Sequence, residues 1–188
     1  MATHVAKQLT AEELEAGLEE ILRAPRLEGV VRMIVRRPAV DERDVLEECT
    51  LDLVEGLVGD SWKTRGSKRT SDGSAHPEMQ LNVMNARVVD LVAAGDPESW
   101  ALAGDQLYVD LDLSEENLPP GTSLGLGSAV LEVTAEPHTG CAKFHARFGG
   151  AAHRFVNTKA HRHLRLRGLN AKVVQAGTVR RGDSIRKL

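Results

Sequence analysis

Short segments with a two-residue hydrophobic period recur along this chain, separated by breaks rich in glycine. Residues 79–83 and 107–113 alternate apolar and polar side chains, as a strand with one buried face does. Val31, Met33 and Val35 share one face in the same way. Shorter strand candidates are residues 124–126, 129–134, 164–167, 172–175 and 178–180. Many short strands joined by turns predict a mainly β fold, a barrel or curled sheet, rather than repeated βαβ units.

The first part of the chain has a helical period instead. Thr10 and Glu13 form the pattern of a capping box, and Pro25 ends the segment. The apolar stripe of this helix consists of Leu14, Leu18, Ile21 and Leu22. We therefore expect residues 1–28 to be an amphipathic helical appendage, followed by one domain over residues 29–188.

Three short helices are predicted between the strands. Asn85 suits the N-cap of a helix that Gly95 closes. A second helix begins near Cys141 and stops at Gly149, and a third covers residues 151–159. The expected architecture is a β-barrel with a few short helices on it.

Charge and composition exclude several classes of protein. The chain has 188 residues, a formal net charge of -3 and 3% aromatic residues. It therefore lacks both the basic excess of a duplex-binding domain and the aromatic platform of a single-strand binder, and we expect no nucleic-acid partner. No apolar run is long enough to span a bilayer, so we expect no membrane partner. Two cysteines do not make a disulfide framework, which favours reduced thiols in the cytoplasm.

The start of the second predicted helix concentrates reactive and basic side chains. A helix that begins at Cys141 places the thiol at the positive end of the helix dipole, where backbone N–H groups favour the thiolate. His145 lies one turn later on the same face. Lys143 and Arg147, also one turn apart, form a basic pair able to hold a phosphate. The apolar face that would anchor this helix consists of Phe144 and Phe148.

The residues alone leave plainer interpretations open. A lone cysteine is more often a small buried hydrophobe than a nucleophile or a ligand. Cys49 has acidic neighbours, Glu47 and Glu48, which would raise the pKa of its thiol, so we interpret it as structural. The histidines match no zinc spacing, and positions on the surface explain them better; they are His138, His145, His153, His161 and His163.

Taken in order, several segments resemble the MOSC domain, the C-terminal domain of molybdenum-cofactor sulfurases. The segments are GLVGDSW (56–62), MQLNV (79–83), GDQL (104–107), DLSEENLPPGT (112–122), GCAKF (140–144), RGLNA (167–171) and GTVRRGD (177–183). Each is weak alone, but their order and spacing over residues 29–187 are specific. The chain is most similar to a stand-alone member of bacterial type.

The resemblance implies a barrel-like fold with Cys141 as its central residue. In amidoxime-reducing relatives the motif cysteine ligates molybdenum in a bound molybdopterin cofactor, and those enzymes reduce N-hydroxylated compounds. The family was also proposed to carry activated sulfur on this cysteine. The resemblance therefore implies one of two roles for Cys141: a molybdenum ligand in a reductase, or the site of a persulfide in a sulfur carrier.

An anionic pterin cofactor needs cations and neutral hydrogen-bonding groups around its phosphate. The expected cofactor-binding residues are Lys143, Arg147, Arg165 and Arg167, then Lys63 and Arg65, with Thr139, Asn157 and His145 beside them. The resemblance does not extend to the pyridoxal-phosphate domain of the sulfurases, so pyridoxal phosphate is not expected. The N-terminal barrel of amidoxime-reducing enzymes and the C-terminal extension of some bacterial reductases have no counterpart either. The implied partner is an electron-donor flavoprotein or a sulfur donor, with the chain a monomer or homodimer.

Overall fold

The alternating segments pair into a closed barrel in the computed structural model, which describes residues 6–188. The strands are β1 (Glu28–Arg36), β2 (Asp44–Leu46), β3 (Glu48–Asp52), β4 (Gly56–Leu57), β5 (Leu81–Asn85), β6 (Leu107–Asp110), β7 (Ser123–Leu126), β8 (Ala129–Val133), β9 (Leu169–Gln175), β10 (Gly177–Arg180) and β11 (Ser184–Lys187). The α-helices are α1 (Ala11–Ala16), α2 (Leu18–Leu22), α3 (Trp62–Arg65), α4 (Ala86–Val92) and α5 (Ala142–Asn157). Short 3₁₀ segments cover Pro77–Met79, Pro97–Ala103 and Lys159–Leu164.

Seven strands form the barrel in the order β11-β7-β8-β9-β5-β6-β1, and a pairing between β1 and β11 closes it. The neighbours are antiparallel apart from β5 and β6, which run parallel. β2 pairs with the far end of β1, and a separate sheet has the order β10-β3-β4. Closure satisfies the edges that an open sheet of this length would leave unpaired. The barrel predicted from the sequence is therefore confirmed.

Successive residues of the barrel strands face two different cores. Ile34 and Val83 point into the barrel, whereas their neighbours Val35 and Met84 pack outside it against the helices. All four side chains have no exposed surface. Burying each of them contributes about 1.5–3 kcal/mol, so both faces of these strands hold the fold together. The outer core is what positions the helices, and through them the site.

The N-terminal helical segment packs on this outer core. The capping box between Thr10 and Glu13 is present, but the helix breaks at Gly17, where a Cβ would lie 2.5 Å from a methyl group of Leu91. Leu22 is 58% exposed, so its place in the predicted apolar stripe is wrong. The proposed appendage includes residues 1–5, which lie outside the described residues, and its boundary stays a prediction. No helix within residues 6–188 is long and apolar enough to cross a lipid bilayer.

Two strand predictions need correction. The strand expected over residues 164–167 is wrong, because a 3₁₀ segment ends at Leu164 and Arg165 turns the chain with a φ of 49°. The strand expected over residues 107–113 stops at Asp110, and the N–H of Asp112 donates to the carbonyl of Pro25 instead. Residues 164–167 and 111–113 are apolar at alternate positions, so burial against neighbouring elements produced the pattern there without strand pairing.

Candidate functional site

The structure confirms that Cys141 stands at the start of a helix. It is the N-cap of α5, in an extended conformation, and its side chain is exposed. Phe144 and Phe148 are buried on the opposite side of α5, with ring centroids 4.8 Å apart. The helix kinks at Gly149, whose φ of 86° is one that residues with a Cβ rarely adopt. The aromatic anchor therefore fixes α5 on the barrel while the thiol faces outward.

Cys141 opens onto a cleft of about 410 Å³ between the start of α5 and the loops that follow β1 and β4. This volume is in the range of sites that hold small molecules and cofactors. The charged and reactive lining residues are Arg37, Asp41, Arg43, Arg65, His138, Cys141, Lys143, Arg147 and Arg167. Their pairing divides the cleft into a floor of buried ion pairs and a rim of exposed charges.

One half of the floor is the pair of Arg37 and Asp60. The guanidinium Nε and Nη2 of Arg37 each donate to an Asp60 carboxylate oxygen at 2.9 Å. Its Nη1 donates to Asn82 Oδ1 at 3.1 Å and to the Gly104 carbonyl at 2.8 Å. Burial alone would raise the pKa of Asp60, but hydrogen bonds and positive charge from Arg37 outweigh it, so the pKa lies below its ordinary value.

The other half of the floor joins Arg167, Asp105 and His138. Arg167 Nη1 donates to both carboxylate oxygens of Asp105, at 2.9 and 2.7 Å, and its guanidinium lies 5.0 Å from the centre of the Phe144 ring. His138 Nε2 lies 2.8 Å from Asp105 Oδ1. Burial raises the pKa of Asp105, but the charge of Arg167 and the hydrogen bonds from His138 and Arg167 reverse that effect, so the pKa lies below its ordinary value and the carboxylate stays ionised. Nε2 of His138 therefore carries the hydrogen of this bond.

Four cations form the rim. Lys143 Nζ and Arg147 Nη2 both donate to Oδ1 of Asp41, at 2.9 and 2.7 Å. Among residues 6–188, neither Arg43 nor Arg65 has a carboxylate within ion-pair distance. Burial, followed by the charges of Arg147 and Arg37, lowers the pKa of Arg43. The Nε of Arg43 is buried and has no hydrogen-bond partner in the described part of the chain.

The cleft as a whole is strongly positive. Six cationic side chains line it, against the carboxylates of Asp41, Asp60 and Asp105, which leaves an excess of three positive charges. An excess of this kind concentrates anions in a concave site. The arrangement is suited to an anionic ligand whose reactive part lies beside a thiol.

A sequence model of the MOSC domain matches residues 70–186, more than half of the chain. The chain belongs to the MOSC domain family. This family is associated with molybdenum-cofactor binding. The match includes Cys141 and three of the six cleft cations, Lys143, Arg147 and Arg167.

Solved structures show the same MOSC fold at low sequence identity. The YuaD protein of Bacillus subtilis is 16% identical, with a TM-score of 0.59 over 85% of this chain and 94% of that one. YiiM of Escherichia coli is 18% identical, with a TM-score of 0.52 over 85% of this chain and 69% of that one. A crystal structure described as a hypothetical protein is 20% identical, with a TM-score of 0.56 over 86% and 68% of the two chains. No curated protein matches the sequence significantly.

The cleft brings together six of the residues predicted for the site of this MOSC domain. They are Cys141, Lys143, Arg147, Arg167, Arg65 and Thr139. Arg167 lies there in a different role from the one expected, because its guanidinium is already paired with Asp105 in the floor.

Four predicted residues do not line the cleft: Lys63, Arg165, Asn157 and His145. Arg165 Nη1 donates to the carbonyl of Leu118 at 2.6 Å and borders a second cavity of about 140 Å³. Asn157 Oδ1 accepts the N–H of Gly140 at 2.9 Å, which holds the turn before Cys141. Their predicted roles in cofactor binding are untested.

The sequence indicated no role for most of the floor or for part of the rim. No role was predicted for Arg37, Arg43 or Asp41, although two adjacent arginines at the end of a strand, Arg36 and Arg37, were a signal. Asp60 and Asp105 fall within the segments GLVGDSW and GDQL, and no pairing was predicted for either. The surface position expected for His138 is wrong, because its side chain is 13% exposed and bonded to Asp105. No group of three or more His, Cys, Asp or Glu side chains in residues 6–188 is arranged to hold a metal ion.

The two cysteines differ in the way predicted. Cys49 is buried in the barrel core, and burial followed by the charge of Glu48 raises the pKa of its thiol to about 12. It therefore stays a neutral thiol at physiological pH. Cys141, exposed at the mouth of the cleft, is the thiol that a ligand or reagent reaches.

Proposed function

We propose that this MOSC domain binds molybdenum cofactor in the cleft, with Cys141 as the metal ligand, and reduces N-hydroxylated compounds. The observation that carries the proposal is an exposed thiol at the mouth of a cleft with three excess positive charges. The family association with molybdenum cofactor supplies the class of ligand. Electrons would come from an external flavoprotein.

The residues of the cleft fit an anionic molybdopterin. A thiolate is a soft ligand of the kind that molybdenum takes in proteins. Arg43 and Arg65 have no carboxylate partner among the described residues, and the buried Nε of Arg43 lacks an acceptor. A phosphate oxygen would satisfy such donors and neutralise the excess charge. These two arginines are therefore proposed to bind the phosphate together with Lys143 and Arg147, which line the same cleft.

The cofactor, when bound, would supply two-electron chemistry at its metal. The Cys141 thiol loses its proton when its sulfur becomes a ligand, which makes loading depend on pH. His138 donates its Nε2 hydrogen to Asp105, which leaves Nδ1 as the hydrogen-bond acceptor of the ring. Arg37 and Arg167 hold the floor in place by buried bidentate pairs. Reduction of an N–OH group consumes two protons and two electrons and releases water.

Metal analysis of two cysteine variants tests the proposal. Protein from a host that makes molybdenum cofactor should contain stoichiometric molybdenum and a pterin that fluoresces after oxidation. Cys141→Ser should lose both, with a free energy of unfolding within about 0.5 kcal/mol of wild type, because the thiol is exposed. Cys49→Ser is the matched control and should keep the metal. Molybdenum retained by Cys141→Ser would contradict the assignment of the ligand.

The exposure of Cys141 also favours a second candidate function, sulfur transfer. A sulfur donor protein needs direct access to the acceptor thiol, and Cys141 is accessible at the cleft mouth. In that case the purified protein should contain little molybdenum and about one cyanide-releasable sulfur per chain. That sulfur should disappear in Cys141→Ser and persist in Cys49→Ser. Absence of both molybdenum and labile sulfur would count against both functions.

A further inference from the structure

A carboxylate of the chain itself occupies a cationic position at the rim of the cleft. Asp41 lies in the loop between β1 and β2, and one of its oxygens, Oδ1, accepts from both Lys143 and Arg147, at 2.9 and 2.7 Å. The donation by Lys143, opposed in part by burial, lowers the pKa of Asp41, so this carboxylate is ionised at neutral pH. Two cations one turn apart on α5 thus bind a single anionic oxygen.

The subsite exists independently of Asp41. Arg147 is only 14% exposed, and its Nη1 donates to the carbonyl of Leu102 at 2.9 Å. This bond fixes the guanidinium so that Nη2 faces Asp41. Arg43, which has no carboxylate partner among the described residues, borders the same cleft and interacts electrostatically with both Arg147 and Asp41. Removing the Asp41 carboxylate would leave an oriented set of donors for another oxyanion.

The loop that carries Asp41 can move without disturbing the floor. Before it, the Arg37 side chain is bound to Asp60, and its carbonyl accepts the N–H of Ser61 at 2.9 Å. After it, β2 pairs with β1 from Asp44 onward. Between these two anchors, Asp41 is 60% exposed, and its pair with Lys143 is of the exposed kind that contributes little stability. Its other partner, Arg147, is 14% exposed and keeps its bond to the Leu102 carbonyl when Asp41 leaves. A ligand can therefore displace it at small cost.

We propose that Lys143 and Arg147 form an oxyanion subsite for a phosphate monoester, and that Asp41 is a built-in competitor which the ligand displaces. This inference rests on the proposed function, since the phosphate belongs to the ligand of the same cleft. Because Asp41 occupies the subsite in the free protein, the apparent affinity for every anion is reduced by the fraction of time that the subsite is empty. The same factor applies to every anion, so weakly binding monoanions leave the subsite to Asp41, whereas a phosphate dianion with a higher intrinsic affinity displaces it.

The test is an NMR titration with phenyl phosphate at pH 8 and low ionic strength, where the phosphate is a dianion. Asp41→Asn should bind phenyl phosphate about 3- to 10-fold more tightly than wild type, the range expected for loss of one exposed bridging carboxylate. Asp44→Asn is the matched control. Asp44 pairs with Arg36 at 2.8 Å outside the cleft, so this variant should bind like wild type.

A double-mutant cycle separates competition from a general charge effect. In a Lys143→Gln and Arg147→Gln background, the gain from Asp41→Asn should disappear, because the subsite for which Asp41 competes is gone. Equal or weaker binding by Asp41→Asn would overturn the inference while leaving the anionic cleft intact. If phenyl phosphate binds neither to wild type nor to Asp41→Asn, the cleft has no phosphate site, and the proposed function is contradicted as well. If Asp41→Asn tightens phenyl phosphate binding by the same factor in the Lys143→Gln and Arg147→Gln background, Asp41 acts only as a distant negative charge. It then does not compete for the subsite.

Discussion

The floor and the rim of the cleft contain the same kinds of charged group in opposite surroundings. In the floor, Arg167 and Asp105 are 5% and 0% exposed. In the rim, Lys143 and Asp41 are 55% and 60% exposed. A buried pair is costly to break because the remaining charge is left without solvent, whereas an exposed pair exchanges its partner for water. The same kind of ion pair therefore fixes the structure in the floor and can be exchanged for a ligand in the rim.

This difference explains how one cleft can be both rigid and open to ligands. Each floor arginine has a buried carboxylate partner and also donates to a backbone carbonyl, so it holds the ends of the strands in fixed positions. The rim arginines Arg43 and Arg65 have no carboxylate partner among the described residues, and Arg43 Nη1 donates to the carbonyl of the adjacent Glu42. Substitutions in the floor should therefore lower the free energy of unfolding, whereas substitutions in the rim should lower the affinity for anions.

The largest expected effect is on the floor. Asp105→Asn leaves the Arg167 guanidinium buried without a countercharge, and the free energy of unfolding should fall by about 3–5 kcal/mol. Urea denaturation followed by circular dichroism measures the change. Replacing both partners with apolar residues, Asp105→Leu with Arg167→Met, should cost less than the single substitution. A loss below about 1 kcal/mol in Asp105→Asn would show that the floor is no more rigid than the rim.

A smaller effect concerns acid pH. Burial, followed by the charge of Arg167, lowers the pKa of His138 below its ordinary value of 6.5. The unfolded chain then binds a proton at a pH where the folded chain does not, so stability is complete above pH 6.5 and falls as the pH drops toward the folded pKa. His138→Gln should flatten this part of the pH profile of the urea midpoint, and His145→Gln, on the exposed face of α5, serves as control. If the urea midpoint of His138→Gln depends on pH as that of wild type does, the His138 side chain is in contact with solvent and not buried.

The smallest effect on stability is expected in the rim. Arg43→Gln and Arg65→Gln together should change the free energy of unfolding by less than about 0.5 kcal/mol. Their affinity for phenyl phosphate should nevertheless fall about tenfold, which corresponds to the loss of one charge-assisted contact. Lys68→Gln, an exposed position away from the cleft lining, provides the control titration. A large fall in the free energy of unfolding of the double variant would show that the rim arginines stabilise the fold as the floor arginines do.

Local features made part of the site predictable. The helix predicted to begin near Cys141, with Phe144 and Phe148 on its apolar face, is confirmed by the structure. Lys143 and Arg147 follow from the same helical period. By contrast, Arg167 was expected to meet a phosphate, yet its partner is Asp105, 62 positions away. No local pattern indicates a pairing at that distance.

The sequence by itself determined the barrel class, the MOSC resemblance and the helix that begins at Cys141. Each depends on interactions with a short range along the chain: alternation along a strand, the turn chemistry of glycine, and helical spacing. Only the tertiary structure decided which cations are free and which are already neutralised. Barrel closure brings Arg37 to Asp60 and Arg167 to Asp105, and burial there makes an unpaired charge too costly. It also places the loop of Asp41 against α5, where a residue 102 positions from Lys143 occupies its anion subsite.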